Sequence, residues 1–330
     1  MKISFITTIY CTEDDIDPFA DSCFEVCKDL GVECEVIFVN DGSPDNGLDV
    51  AKALAERDAR VVVVDLSRNF GQHKALWTGL GMATGDLIMT LDGDLEEDPR
   101  WATRFIATMK ENGADVVYGV QQRPKGNFAY RLCRNAFYRV LDTVGDFEFP
   151  RDVSTARLMT RRYVEALLSH DERESFFVGL MHATGFKQVP LLVDKISRSP
   201  TTYTFKKLLR LFLTAVTAFS ITPLIGVFLA GVMISTGAFF FILFLIARYF
   251  ITGVGVPGWT SVMAALILFS GVLTLFNGVI AIYIGTIFLE VKRRPRVIIS
   301  AVYRRQEGGR TPRDAGLPDA NRTDTGLNAR

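Results

Sequence analysis

Two long stretches without a charged side chain constrain this chain of 330 residues more than any other feature. The first covers residues 211–247, the second covers residues 249–289, and only Arg248 separates them. A helix needs about 20 apolar residues to cross the hydrocarbon core of a bilayer, so each stretch is long enough for one span. The spans are predicted at about 221–247 and 261–289. A pair of helices buried in a soluble core is the alternative, and uncharged runs of this length argue against it.

Basic side chains flank the two stretches on the sides that lie away from the connecting turn. They are Lys206, Lys207 and Arg210 before the first span, and Lys292, Arg293, Arg294 and Arg296 after the second. Cytoplasmic segments next to membrane spans carry an excess of Lys and Arg. The sequence therefore predicts an integral membrane protein with a helical hairpin, whose soluble domain and both termini are cytoplasmic.

The rest of the chain divides around this hairpin. Residues 1–198 are predicted to form the soluble domain, residues 199–219 an amphipathic segment beside the membrane, and residues 220–290 the hairpin. Residues 291–330 form a basic tail, which is expected to be disordered after residue 305 because it has almost no large apolar side chains there. In the whole chain 37 basic side chains balance 37 acidic ones, which excludes a strongly basic nucleic-acid-binding protein.

Short β-rich runs alternate with helical stretches at the start of the chain. The runs are KISFITTIY, ECEVIFVN, RVVVVDL, DLIMTLD and ADVVYGV, and apolar residues at helical spacing lie between them. This alternation predicts an α/β fold with a mostly parallel, Rossmann-like sheet that has helices on both faces. In such a fold, ligands bind beyond the carboxyl ends of the strands.

Polar side chains follow three of these runs directly. Asp41 and Ser43 come after the second run, Arg68 after the third, and Asp92 ends the fourth run, with Asp94 two residues further on. Carboxylates gathered at one sheet edge are costly unless a cation joins them. Mg²⁺ or Mn²⁺ typically takes one or two carboxylates together with phosphate oxygens and water. Asp92 and Asp94 therefore predict a site for Mg²⁺ or Mn²⁺ and a diphosphate, with one carboxylate on the metal and the other on the metal or a ribose. An isolated Asp-x-Asp pair also occurs in ordinary solvated turns.

The chain resembles the family-2 GT-A glycosyltransferases in four segments. They read NDGS at 40–43, LSRNFG at 66–71, ATGD at 83–86 and DGDLEEDP at 92–99. Within that family the chain is similar to the branch that contains dolichyl-phosphate mannose synthase and the bactoprenol glucosyltransferases. The resemblance implies a GT-A fold followed by a transmembrane hairpin. It also implies inverting transfer of a sugar from a UDP- or GDP-linked donor to a polyprenyl phosphate, either undecaprenyl or dolichyl phosphate.

The resemblance also implies roles for individual residues. Those expected to act in catalysis are Asp94, Asp152 and Arg157. Those expected to bind the nucleotide are Asp41, Ser43, Arg68 and Asp92, and the metal ligands are Asp92 and Asp94. The phosphate or the lipid acceptor is expected to meet Arg123, Arg131, Arg198 and Tyr203.

The position of the general base differs from that of the relatives. Thr155 stands where they carry an aspartate that is sometimes assigned as the base, and Asp152 is the fallback. A lipid monophosphate has a second pKa of about 6 and is largely dianionic at neutral pH. Such an acceptor can attack without losing a proton, so the change at Thr155 is tolerable for a phosphate and serious for a hydroxyl acceptor.

Two other functions stay open. A processive membrane polysaccharide synthase usually carries a Gln-x-x-Arg-Trp element and more spans, and neither occurs in this sequence. A catalytically impaired scaffold of the same fold would explain the altered residues Asn40, Thr155 and Thr202, whereas the intact Asp92 and Asp94 argue against it. The sequence does not identify the sugar, and it leaves open whether the chain forms a homo-oligomer.

Overall fold

A computed structural model shows the fold and describes residues 1–121, 153–170, 181, 184–195, 222–252, 258–292 and 294–305. Its strands are β1 (Lys2–Ile9), β2 (Glu33–Asn40), β3 (Val61–Leu66), β4 (Leu87–Thr90), β5 (Val116–Gln121), β6 (Val153–Thr160), β7 (Gln188–Val193) and β8 (Ile299–Arg304). Its helices are α1 (Ile16–Leu30), α2 (Gly47–Arg57), α3 (Gln72–Met82), α4 (Trp101–Asn112), α5 (Arg161–Leu168), α6 (Thr222–Thr252) and α7 (Trp259–Val291).

The described strands form one sheet in the order β7-β5-β6-β4-β1-β2-β3-β8. The pairs β1–β2, β1–β4, β2–β3 and β5–β7 are parallel. Strands β6 and β8 run antiparallel to their neighbours. The central strands are buried along almost their whole length, which explains why they read as continuous apolar runs. The predicted α/β class with a mostly parallel sheet is confirmed.

Helices cover both faces of the sheet, as predicted. On one face, α1, α2 and α4 bury a core that includes Phe5, Phe19 and Phe105. On the other face, α3 and α5 pack over a second core that includes Leu76 and Tyr163. The strands that carry the polar loops are therefore packed between two layers of helices.

The helices α6 and α7 are long and apolar enough to cross a membrane by length and composition. The most apolar windows are Leu224–Phe241 and Leu268–Val291, and no part of either is buried inside the protein. The two helices contact each other, since a Cβ atom at Gly231 would lie 3.8 Å from the ring of Phe276. The amphipathic segment predicted at 199–219 and the tail beyond 305 lie outside the described residues.

Strand β8 follows the second apolar helix and joins the edge of the same sheet. It pairs with β3, so that Ile299 lies opposite Leu66 and Arg304 lies opposite Val62. Ile299 and Val302 pack against one core, and Tyr303 packs against the other. From the sequence, this segment was predicted to belong to the tail, and the soluble domain was predicted to end at 198. This segment joins the sheet because its backbone supplies hydrogen-bond partners for β3, which would otherwise be an edge strand.

Candidate active site

Three polar loops meet at the carboxyl edge of the sheet. Because β2, β3 and β4 belong to one set of parallel strands, the residues that follow them open onto the same side. Asp41 and Ser43 follow β2, Arg68 follows β3, and Asp92 and Asp94 follow β4. The structure thus brings the described polar residues that the sequence analysis singled out to one sheet edge.

The loop after β4 holds two partly buried carboxylates. Oδ1 of Asp92 accepts a hydrogen bond of 2.7 Å from the side chain of Gln72, at the start of α3. Oδ1 of Asp94 accepts one of 3.0 Å from the backbone N–H of Glu96. Gly93 lies between them, and a Cβ atom there would come within 2.7 Å of the carbonyl oxygen of Thr8. Only glycine allows the loop to pass so close to β1.

Glu97 connects this loop to β6 through two hydrogen bonds. Its side chain is completely buried, and its Oε2 accepts a hydrogen bond of 3.0 Å from the backbone N–H of Asp92. Its Oε1 accepts one of 3.1 Å from the backbone N–H of Thr155 on β6. Burial raises the pKa of Glu97, and the negative charge of Asp92 raises it further. This role was not predicted from the sequence, because nothing in the local pattern shows which acid of the Glu-Glu-Asp run points inward.

A lysine from the far side of the sheet lies among these carboxylates. Nζ of Lys195, just after β7, is 2.6 Å from Oδ2 of Asp92. It is 3.6 Å from a carboxylate oxygen of Glu96 and 3.6 Å from one of Glu97. Burial by itself would lower the pKa of Lys195. The surrounding carboxylates have the larger effect and raise the pKa of the ammonium group. Lys195 was not among the site residues predicted from the sequence. The one signal for it was the apolar run PLLV followed by Asp-Lys, which resembles the other strand ends.

The donor set suits a divalent cation. The carboxylates of Asp92, Asp94, Glu96 and Glu97 outnumber the ammonium of Lys195, and burial followed by the charge of Asp92 raises the pKa of Asp94. Within the described part of the chain, no three His, Cys, Asp or Glu side chains are grouped so as to hold a metal alone. Asp92 and Asp94 would therefore share an ion with ligand oxygens and water, which is how Mg²⁺ is usually bound.

Asp41 ties together the loops that follow β2 and β3. It is 3% exposed, and its Oδ1 accepts a hydrogen bond of 2.6 Å from the backbone N–H of Phe70. Its Oδ2 accepts one of 2.9 Å from the backbone N–H of Gly71. Gly42 has a φ of 65°, and a Cβ atom there would lie 2.6 Å from the backbone nitrogen of Asn69. Both oxygens of Asp41 therefore hold the loop that leads into α3.

Ser43 belongs to the loop after β2 and Arg68 to the loop after β3. The hydroxyl of Ser43 donates a hydrogen bond to Oδ1 of Asp45 and accepts one of 2.8 Å from the backbone N–H of Cys11. Arg68 is exposed, and its guanidinium lies 4.4 Å from the ring centre of Phe70. Arg68 is thus the more accessible of the two to a ligand at the carboxyl edge.

Arg157 is buried beside the loop that follows β4. It lies on β6 opposite Thr90, the last residue of β4, and is 3% exposed. Its guanidinium lies 5.4 Å from the ring centre of Tyr118, and its Nη1 has no hydrogen-bond partner within the chain segments described. Burial lowers the pKa of Arg157. Such a nitrogen can donate a hydrogen bond to an anionic group of a ligand.

Five of the predicted site residues lie outside the described part of the chain. They are Arg123, Arg131, Asp152, Arg198 and Tyr203.

The sequence matches the family model "Glycosyl transferase family 2" over residues 4–168. A Mycobacterium tuberculosis protein whose description names glycosyltransferases is 38% identical over 92% of this chain and 89% of its own length. The prophage bactoprenol glucosyl transferase homolog of Escherichia coli is 31% identical over 92% of this chain and 99% of its own. The undecaprenyl-phosphate 4-deoxy-4-formamido-L-arabinose transferase of Proteus mirabilis is 30% identical over 91% of this chain and 94% of its own.

Among solved structures, the glucosyl-3-phosphoglycerate synthase of Mycobacterium tuberculosis in complex with Mn²⁺, UDP and phosphoglyceric acid is 20% identical, with a TM-score of 0.45. The match covers 66% of this chain and 76% of that one. The match to the family model spans β1 to the end of α5, and with it all three polar loops at the carboxyl edge. The chain is therefore a glycosyltransferase and belongs to glycosyl transferase family 2.

Proposed function

We propose that this enzyme transfers a sugar, with inversion, from a nucleotide sugar to a polyprenyl phosphate at the cytosolic face of a membrane. The donor carries UDP or GDP, and Asp92 and Asp94 hold the Mg²⁺ or Mn²⁺ that binds its diphosphate. One observation carries the proposal: the sheet edge that bears the acidic loop is also the edge that connects to both apolar helices.

The directions of β7 and β8 support this arrangement. Strand β7 runs parallel to β5 and ends at the carboxyl edge, so the chain leaves the sheet there on its way to α6. Strand β8 is antiparallel to β3 and begins opposite Leu66, the last residue of β3. The chain therefore returns from α7 to that same edge. A pair of spans attached to one sheet at both ends has both ends on one side of the membrane.

The connection from α7 to the sheet is short and attached to the domain. Val291 and Ile299 can be at most about 28 Å apart along an extended chain. Arg296, in this link, donates a hydrogen bond of 2.7 Å to the carbonyl oxygen of His170, and its guanidinium lies 4.3 Å from the ring centre of Trp77. These contacts keep the carboxyl edge near the end of α7, where a lipid headgroup can reach it.

The reaction needs one bond to form and one to break. An oxygen of the acceptor phosphate attacks the anomeric carbon, and the bond from that carbon to the nucleoside diphosphate breaks on the opposite face, which inverts the configuration. When bound, the divalent cation neutralises the charge that develops on the departing diphosphate. Asp92 and Asp94 are oriented for this by Gln72 and by the backbone of Glu96.

The acceptor is proposed to be a phosphate because the described site fits an anionic nucleophile. Such a dianion has no proton to lose at neutral pH, so a threonine at 155 in place of a base is compatible with turnover. Arg157 offers a buried nitrogen without a hydrogen-bond partner in the described residues. The names of two relatives, a bactoprenol glucosyl transferase homolog and an undecaprenyl-phosphate sugar transferase, support a polyprenyl acceptor.

The test is a transfer assay with the full chain in detergent or vesicles. Labelled UDP- and GDP-sugars are offered with undecaprenyl or dolichyl phosphate and Mg²⁺ or Mn²⁺. We expect label in a product that organic solvent extracts, and we expect EDTA to abolish it. Label in a water-soluble polymer instead would identify a polysaccharide synthase, and no transfer from any donor would favour a scaffold.

Two variants separate the metal site from general damage. Asp94→Asn keeps the shape of the side chain and removes its charge, and we expect turnover to fall by about a hundredfold or more. Asp21→Asn changes an exposed residue of α1 that belongs to none of the three polar loops, and it should leave turnover unchanged. Near-normal turnover of Asp94→Asn or of Asp94→Ala would refute the metal assignment.

A further inference from the structure

The ammonium group of Lys195 contacts Asp92, one of the two carboxylates proposed to hold the metal. It lies 2.6 Å from Oδ2 of Asp92, while the other oxygen of that carboxylate accepts the hydrogen bond from Gln72. Both oxygens of Asp92 thus already have a donor. A divalent cation that enters from solution therefore approaches a carboxylate whose charge the ammonium of Lys195 already neutralises. At such distances the ammonium and the incoming cation repel each other.

Lys195 is held in this position by more than one contact. Its side chain is 18% exposed, and carboxylate oxygens of Glu96 and Glu97 both lie 3.6 Å from its Nζ. Glu97 is itself fixed by the backbone N–H groups of Asp92 and Thr155. The ammonium is therefore part of a packed acidic cluster rather than a mobile surface charge.

We propose that Lys195 is an internal counter-ion that the divalent cation must displace, so that metal binding is weak in the free enzyme and becomes tight with the nucleotide. This inference rests on the proposed function, since it takes the donor to be a metal–nucleotide complex at Asp92. The diphosphate of the donor brings negative charge, which gives the metal further ligands and gives the displaced ammonium a new partner.

The experiment measures Mn²⁺ binding to the full chain in detergent, by electron paramagnetic resonance of free Mn²⁺, without nucleotide and with UDP or GDP. Lys195→Met removes the charge and keeps the length of the side chain. We expect it to bind Mn²⁺ without nucleotide about tenfold or more tightly than the wild type, because one repelling charge is gone. The nucleotide should then add much less to the affinity than it does in the wild type.

Two further variants serve as controls. Lys195→Arg retains the positive charge and should bind Mn²⁺ as weakly as the wild type when no nucleotide is present. Lys187→Met removes an exposed lysine just before β7, where its ammonium contacts the carbonyl oxygen of Asn112, and should change nothing. Should Lys195→Met fail to fold, Lys195→Gln, which also removes the charge and can still donate a hydrogen bond to Asp92, is compared in the same way.

The outcomes separate this inference from the proposed function. If the wild type binds Mn²⁺ only with nucleotide and Lys195→Met behaves identically, the inference is overturned and the proposed function stands. If Lys195→Met binds Mn²⁺ more weakly than the wild type, Lys195 supports the metal site and the inference is again overturned. If neither protein binds Mn²⁺ with or without UDP or GDP, both the inference and the metal site are wrong.

Discussion

Replacing Asp41 tests whether this buried carboxylate holds the architecture of the carboxyl edge. Its two oxygens accept hydrogen bonds of 2.6 and 2.9 Å from the backbone N–H groups of Phe70 and Gly71. A hydrogen bond to a charged group contributes about 1.5–3 kcal/mol, so Asp41→Ala, which removes two, should cost about 3–6 kcal/mol. Asp41→Asn keeps one accepting oxygen and should cost about half as much.

The assay is thermal unfolding of the full chain in detergent, followed by tryptophan fluorescence. For a domain of this size each kcal/mol lowers Tm by about 2–4 °C, so Asp41→Ala should lower it by roughly 6–24 °C. Asp21→Ala, at an exposed position of α1, is the control and should shift Tm by little. If Asp41→Ala has the same Tm as the wild type but a much lower affinity for UDP or GDP, Asp41 binds the nucleotide and does not stabilise the loop.

Two further predictions concern residues away from the proposed metal site. Burial opposes the charge of Glu35, but hydrogen bonds from a serine, a threonine and a lysine outweigh it and lower the pKa of this carboxyl. The charged form of Glu35 thus stabilises the fold above the ordinary Glu pKa, and this stabilisation is lost as the pH falls through the lower pKa of the folded state. Glu35→Gln lacks this contribution, so between about pH 5 and 3 its free energy of unfolding in urea should fall less than that of the wild type. Gly79→Ala on α3 would place a methyl group against the side chain of Ile6 and should cost about 1–3 kcal/mol. Gly81→Ala on the same helix meets open space and should stabilise by about 0.5–1 kcal/mol, and equal effects at the two positions would contradict the packing.

Local patterns were enough to predict the class of the fold. The runs that became β1 to β5 are short, apolar and separated by helical spacing, and each was found where it was predicted. The order of strand and helix dictates parallel pairing, because a helix between two strands returns the chain to the same edge. For that reason the sequence alone was sufficient to place Asp41, Arg68, Asp92 and Asp94 together at the carboxyl edge.

Contacts between distant parts of the chain were beyond the reach of such patterns. Lys195 and Asp92 are 103 positions apart, and they meet because β7 and β4 end at the same edge of a sheet whose strand order local periodicity does not encode. In the sequence, strand β8 looks like any short β-rich segment in a basic tail. It forms the edge of the sheet because β3 has backbone N–H and C=O groups on that side that need hydrogen-bond partners. The sequence likewise showed three acids in a row at 96–98 and not that Glu97 is the one that is wholly buried.

Periodicity and strand polarity are local properties, so they suffice to specify an α/β domain with carboxylates at its strand ends and two apolar helices. They do not specify that the chain leaves for those helices and returns from them at the acidic edge, or that a lysine already neutralises that edge. Both features depend on the order and direction of the strands, which emerge from burial and hydrogen bonding across the whole sheet.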